Sequence, residues 1–373
     1  MGRVSSLLCG AALIVGAQWI EPPIAQAQSQ YEGLDMAPEK AGGPEEMLDI
    51  TQFCGTKPVR VAFSVGFGGN YWRRINRAEF EEEAAKCANI TEVAYTDGEF
   101  RPEKQIADIQ GLVARKFDVI IITPDAGEAI FRAIQQATAS GAIVVVNDVG
   151  NTFPGLAGKD YLVAVRIDTH GVGVTSAEWM TKALGGKGNV IVYGGTAGNS
   201  YSADLFGGIK QVLEKHPDIK LLEDPVVTNW DPALAQQVTT ALLAKYPQID
   251  GVFSETSGPI RAFQAGSRSI PAWAGQDLNE TSCLWQELSP SNPSFKIGQL
   301  SAHTWTIRTA LRKGVAAAQG MNNAEPSIIR VPITEDSTSR DATLAVKCDP
   351  DMPPDSIPSS MLDKETMKKL LAK

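Results

Sequence analysis

Four short runs of apolar and β-branched residues recur between residues 59 and 146: VRVAFSV, TEVAY, DVIII and AIVVV. Runs this short and this continuous read as strands buried on both faces. Residues 71–88 lie after the first, with Ile75, Phe80 and Ala84 on one side of a helix. Residues 102–116 carry Ile106, Ile109 and Val113 at helical spacing, and Phe117 continues it. Residues 127–140 read as a third helix, stopped at Gly141. Strands alternating with helices in this way imply a parallel sheet covered on both faces.

A second set follows. Residues 189–193, 220–227, 250–253, 271–274 and 295–300 read as extended, and 200–215, 232–246 and 302–319 as helices. The two sets echo each other. Phe100-Arg101-Pro102 opens a helix that ends before an Asp118 strand, and Trp230-Asp231-Pro232 opens one that ends before an Asp250 strand. In both, the proline takes the first helical turn, where no backbone donor is needed. The expected fold class is α/β, with two Rossmann-like doubly wound lobes. Their strand carboxyl ends face a shared crevice, where open sheets of this kind bind ligands.

Several functions are disfavoured. The chain carries 34 Lys and Arg against 43 Asp and Glu, a net charge of −9, which suits nucleic acid poorly. Three scattered histidines, His170, His216 and His303, make no metal site. Gly66-Phe67-Gly68-Gly69-Asn70-Tyr71 follows a strand, but the third glycine of a dinucleotide loop would fall at Tyr71. Gly185-Gly186-Lys187 lacks the upstream glycine of a P-loop. No G-x-S-x-G or H-E-x-x-H occurs. We therefore expect no catalytic residues and no cofactor.

Residues 1–27 have the layout of an export signal: Arg3, an apolar stretch over 7–17, then Ala25-Gln26-Ala27 before the cut. Cys9 lies inside the apolar stretch. No later run of 18 apolar residues exists, so the mature chain is not expected to span a membrane. Cleavage leaves Cys54, Cys87, Cys283 and Cys348, enough for two disulfides with three connectivities. Cys54–Cys87 with Cys283–Cys348 is favoured, because Cys54 precedes the first strand and Cys87 ends the first helix, at one sheet edge. Residues 28–57 are polar and rich in Gly and Pro, and read as a flexible linker. Residues 353–373 read as a tail with a short helix over 362–371, without an assigned role.

The segments after the strands carry aromatics, amides and carboxylates: Asn70, Tyr71, Trp72 and Arg73; Thr123-Pro124-Asp125; Asn147-Asp148; Tyr201 and Asp204; Trp230; Glu255-Thr256-Ser257; Gln276-Asp277-Leu278-Asn279; and Gln299. A sugar or polyol needs this mixture. Its C–H face packs on an indole, and its hydroxyls both donate and accept. Singly, Trp72 or Trp230 would suit a core, and Asp148 or Asp277 a helix cap. Their joint placement carries the ligand reading.

These segments, with GGTAGNSYSADLFGGIKQVLEKHPDIKL, NWDPALAQQVTTALLAKYPQIDGVF and AGQD, resemble the periplasmic sugar-binding proteins of ABC transporters, in the ribose/galactose-type cluster of the type I fold. The similarity covers about residues 58–345, and the Trp-Arg pair is similar to galactofuranose-type binders. The resemblance implies a three-strand hinge, with crossovers near 166–168, 299–301 and 330–332. It divides the chain into an N-terminal lobe, 58–167 plus 300–331, and a C-terminal lobe, 168–299 plus 332–352. It implies that Trp72 stacks on the ligand ring beside Arg73. Thr123 stands at the polar position after the third strand. Asp148 is the hinge-side carboxylate, Trp230 the second-lobe aromatic, Asp277 the second-lobe carboxylate and Gln299 the crossover amide. With Asn70, Tyr71, Tyr201, Asp204 and Thr256 these complete the expected ligand set. Two positions depart from the family pattern. Leu205 stands where an Arg is common, and Thr256-Ser257 where Asn-Asp is common.

The expected function is that of a monomeric periplasmic receptor. It captures a monosaccharide or related polyol by hinge closure and delivers it to an ABC transporter permease in the inner membrane. The alternatives are a sensor presenting the ligand to a receptor kinase or chemoreceptor, or an exported α/β enzyme. A DNA-binding repressor shares the fold class, but residues 28–57 supply no basic helix-turn-helix.

Overall fold

The computed structural model describes Gly2 and residues 31–372. The expected export signal and its cleavage site lie outside the described residues. The strands are β1 Ala41–Gly42, β2 Val59–Val65, β3 Ile90–Asp97, β4 Val119–Thr123, β5 Ile143–Asn147, β6 Val163–Ile167, β7 Gly188–Gly194, β8 Ile219–Leu221, β9 Val226–Val227, β10 Gly251–Phe253, β11 Ala272–Gln276, β12 Ile297–Leu300, β13 Ile328–Ile329 and β14 Ile333–Asp336. The helices are α1 Tyr71–Ala85, α2 Pro102–Ala114, α3 Phe131–Ala139, α4 Thr169–Ala183, α5 Ser200–Leu213, α6 Pro232–Lys245, α7 Gly258–Ala265, α8 Asn279–Leu288, α9 Thr306–Gln319 and α10 Lys364–Leu371.

Two sheets form two lobes, as in the type I periplasmic binding fold. The first has the order β1-β13-β6-β5-β4-β2-β3 and is parallel throughout. The second has the order β14-β12-β11-β10-β7-β8, with β9 also on β7 and only β14 antiparallel. Register in the first sheet follows the apolar runs: Val119 to Ile122 pair with Ile143 to Val146, and both β4 and β5 are covered by helices on either face. The late helix α9 lies under β4, β5 and β6. Gly314 allows that approach, because a Cβ there would overlap Val119. The chain therefore passes between the lobes three times: from β6 to α4, from β12 to α9, and from β13 to β14.

Residues 31–57 correct the expectation of a flexible linker. Tyr31, Met36, Ile50 and Phe53 are buried in the core of the first lobe, and β1 extends its sheet. The fully buried Lys313 ammonium donates to the carbonyls of Met36 at 2.8 Å and Glu325 at 2.7 Å. Four apolar anchors dispersed among polar residues give no periodicity, which is why this docking does not show in the pattern. The favoured cysteine pairs both form. Cys54–Cys87 fastens this segment to the end of α1, and Cys283–Cys348 fastens the chain beyond β14 to α8.

The C-terminal tail is docked as well. Ile357, Leu362 and Met367 pack with Trp72, Ile75 and Ala302. Asp363 caps α10 by accepting from the Thr366 amide. The tail touches both lobes. Asn279 and Glu280 of α8 donate to the carbonyls of Ser356 and Pro354, while Ser360 and Met361 donate to Glu79 of α1.

Candidate functional site

A cavity lies between the lobes, at the carboxyl ends of both sheets. Its first wall is built by the turn from β2 into α1. Asn70 caps α1, its side-chain oxygen accepting from the Arg73 amide at 2.8 Å, and this sets Tyr71, Trp72 and Arg73 on the first helical turn. Trp72 Nε1 donates to the Ala302 carbonyl at 2.7 Å, which ties the indole to the second interlobe passage.

Arg73 is almost fully buried, with its guanidinium 4.8 Å from the Trp72 ring and 5.1 Å from that of Phe67. It donates to Asp125 at 2.5 Å and lies 3.6 Å from Asp148. The second Asp125 oxygen accepts from the amides of Gly66 and Phe67. Burial nevertheless pushes the Asp125 carboxyl up to about 6, against the pull of Arg73. Asp148 goes the other way. Burial acts upward on it most strongly, but the His303 ring at 3.5 Å and Arg73 together hold it below the usual carboxylate range. Asp148 and His303 both adopt left-handed backbone, φ 57° and 49°, which turns them toward each other from separate chain segments.

The second wall centres on Glu255, just past β10. Its carboxylate accepts from Tyr201 Oη at 2.6 Å, Trp230 Nε1 at 2.6 Å and Gln276 Nε2 at 2.5 Å. Its main-chain carbonyl accepts from Tyr71 Oη of the first lobe at 3.1 Å. Burial raises the Glu255 carboxyl, and burial followed by the Glu255 charge raises Tyr201 well above the usual phenol range. Trp230 takes φ 54°, and its ring lies against Gly195, where any Cβ would overlap it. Across the cleft, Phe67 and Trp230 lie nearly parallel at 5.8 Å. Thr256 Oγ1 is buried without a hydrogen-bond partner, and Arg73 Nη1 and Asp148 Oδ1 have only ion-pair neighbours, at 3.6 Å in Asp148 and 3.5 Å in His303 respectively. Such atoms are rare in folded proteins and point to a polar ligand.

Of the residues expected from sequence, Asn70, Tyr71, Trp72, Arg73, Asp148, Tyr201, Trp230 and Thr256 line the cavity. The structure places four elsewhere. Thr123 ends β4 beneath the lining, and its carbonyl holds Gln105. Asp204 sits one turn beyond Tyr201 and is covered by the loop over 148–152, where it accepts from Asn151. Asp277 is turned to the second interlobe passage by three donors: the amides of Ala302 and Ser359 and the Ser359 hydroxyl. Gln299 faces α8 and donates to Glu335 and Ser282. The cavity also contains Phe67, Asp125, Asn199, Glu255, Gln276 and His303, which are not in the expected set. Asp125, Glu255 and Gln276 stand among the strand-end polar residues noted from sequence. His303 lies just past the expected crossover. Phe67 and Asn199 carry no signal beyond the glycine-rich turns that hold them.

Among the described residues, no group of three or more His, Cys, Asp or Glu is placed to hold a metal, and no helix is long and apolar enough to cross a membrane.

Residues 61–286, more than half of the chain, match the family described as periplasmic binding protein domain. The chain is 28% identical over 193 residues to the xylitol-binding protein of Mycolicibacterium smegmatis, covering 50% of this chain and 53% of that protein. It is 26% identical over 179 residues to the ribose import binding protein RbsB of Haemophilus influenzae, covering 47% and 59%. The match thus spans little more than half the length of these curated relatives. Solved structures share the fold over most of their length. An ABC transporter solute binding protein from Thermobispora bispora aligns with a TM-score of 0.68 at 24% identity, covering 83% of this chain and 94% of that one. The Caulobacter myo-inositol binding protein aligns with a TM-score of 0.64 at 22% identity, covering 74% and 93%. By family match and by two-lobed architecture alike, the chain belongs to the periplasmic binding protein domain family.

Proposed function

We propose that this chain is the substrate-binding component of an ABC importer. In this reading it is exported to the periplasm, holds an uncharged monosaccharide or related polyol between its lobes, and presents it to an inner-membrane permease. One observation carries the reading: a cavity between the lobes combines aromatic rings with a buried Arg73–Asp125–Asp148 cluster that keeps unbonded polar atoms. Rings accept the C–H face of a sugar, and a guanidinium beside carboxylates satisfies its hydroxyls. Three carboxylates face one guanidinium, Asp125, Asp148 and Glu255 against Arg73, which disfavours a sugar acid. The names of related proteins support the class, since they bind xylitol, ribose and myo-inositol. Hinge closure about the three interlobe passages would enclose the ligand, and the ligand would leave chemically unchanged.

The test is native mass spectrometry of the protein taken from periplasm, followed by denaturation and identification of what is released. A stoichiometric neutral sugar or polyol is expected. A nucleotide, a sugar phosphate or a chemically altered sugar would overturn the reading.

A further inference from the structure

We infer that His303 is a specificity-determining ligand contact, and that with Arg73 and Asp148 it clamps one hydroxyl of the ligand. This rests on the polyol reading above and names a residue that selects within that class.

His303 belongs to neither sheet. It stands in the second interlobe passage, between β12 and α9, and is almost fully buried. Its ring lies between those of Trp72, tilted at 5.6 Å, and Tyr201, stacked at 6.0 Å. An apolar ring would fill this space equally well, so the buried nitrogens need a reason. Nδ1 is 3.3 Å from the Ser301 carbonyl, and Nε2 is 3.5 Å from Asp148 Oδ1. Each nitrogen therefore faces an acceptor, and a ring with a proton on both satisfies both. The ring also helps to hold the Asp148 carboxyl low, which a donor does and a lone pair does not.

The distances point to a third party. A charge-assisted N–H···O bond is about 2.8 Å long. His303 Nε2 stops 3.5 Å from Asp148, and Arg73 Nη1 stops 3.6 Å from it. All three side chains line the cavity and are nearly buried, so water does not explain the spacing. One hydroxyl oxygen set beside Asp148 answers all three groups. It accepts from Arg73 Nη1 and His303 Nε2 with its two lone pairs, and it donates its proton to Asp148. An ether oxygen cannot donate, and a methyl group can do neither. The backbone agrees with this assignment. Asp148 and His303 both hold left-handed conformations, φ 57° and 49°, which residues other than glycine keep where the surroundings demand it. Arg73 and a protonated His303 still face three carboxylates, Asp125, Asp148 and Glu255, so the clamp suits an uncharged ligand.

The test is calorimetric titration of the mature full-length protein with xylitol, D-ribose, D-galactose and myo-inositol. His303→Phe and His303→Gln are then titrated with whichever of these binds. Phenylalanine keeps a ring between Trp72 and Tyr201 but has no donor. Glutamine gives up the ring and keeps an N–H near the place of Nε2. His303→Phe should weaken binding about 10- to 100-fold, the loss of a hydrogen bond from a charged donor. His303→Gln should stay within about 5-fold of wild type. Unchanged affinity in His303→Phe, or an equal loss in both variants, overturns the inference and leaves the receptor reading intact. If none of the four binds the wild type, the polyol reading falls and the inference with it. A second measurement covers a His303→Phe protein that fails to fold. The chain has three histidines, so their ring nitrogen resonances can be followed in the wild type, with His303→Gln identifying those of His303. Adding the bound sugar should move the His303 Nε2 resonance much more than that of Nδ1. A ring whose Nε2 resonance does not move overturns the clamp.

Discussion

The first wall of the cleft buries a guanidinium between two carboxylates and leaves an atom of each charge type unbonded, whereas the second buries one carboxylate beneath three donors. The first wall is held by charge and stays open to new bonds. The second is held by three uncharged donors that converge on one carboxylate. The contrast predicts unequal damage. Arg73→Met should strand Asp125 and Asp148 without their cation, and breaking a buried pair in this way costs about 3–5 kcal/mol. Urea unfolding should show that loss, and ligand affinity should fall at least about 100-fold. Glu255→Gln keeps one acceptor and should cost about 1–2 kcal/mol. Equal losses in the two variants would break the comparison.

Acid should sharpen the same contrast. Asp125 is pushed by burial up to about 6, above its ordinary 3.8. A carboxyl whose folded value is raised burdens the fold at neutral pH, and that burden lifts as pH falls from about 7 to about 4. Wild-type stability should therefore rise relative to Asp125→Asn over that window, by up to about 3 kcal/mol from the size of the shift. Asp148 has the opposite sign. Held below its ordinary value, it contributes stability above pH 3.8 that is lost as the solution becomes more acid than that. Unfolding free energy measured against pH for wild type, Asp125→Asn and Asp148→Asn separates the two. Parallel curves for all three would show that the first wall is not held by charge.

The first wall was the more legible from sequence. Asn70, Tyr71, Trp72 and Arg73 are contiguous, a strand precedes them, and a capped helix starts among them. The central strands were legible for a similar reason, since DVIII and AIVVV are short, rich in β-branched residues and set between helical segments, as strands buried on both faces are. The second wall was harder. Glu255, Thr256 and Ser257 all follow β10, and nothing in their order says that Glu255 collects the donors. His303 enters through a left-handed backbone that no local residue demands. Asp277 was recognisable as a carboxylate at a strand end, but its partner Ser359 stands 82 residues further on. The sequence pattern does not announce α4, α7 or α8: THGVGVTSAEWMTKA has two glycines and little amphipathic contrast, and GPIRAFQA and NETSCLWQEL are short.

The smallest predicted effect concerns the support behind the first wall. Trp72 is backed by Ile357, Leu362 and Met367 of the tail, whereas among the described residues no tail residue joins the apolar clusters around Tyr201 or Trp273. Ser359 pins this tail at the second interlobe passage by donating to Asp277. Ser359→Ala removes the hydroxyl bond and keeps the amide bond, at a cost of about 1 kcal/mol. Its effect should be confined to the first wall. Trp72 fluorescence cannot be isolated among seven tryptophans, so hydrogen exchange is the suitable measurement. Protection should fall in α1 and in residues 353–371, with the segment around Glu255 unchanged. Equal loosening of both regions would mean that the tail braces both lobes, and that the two walls are mechanically one.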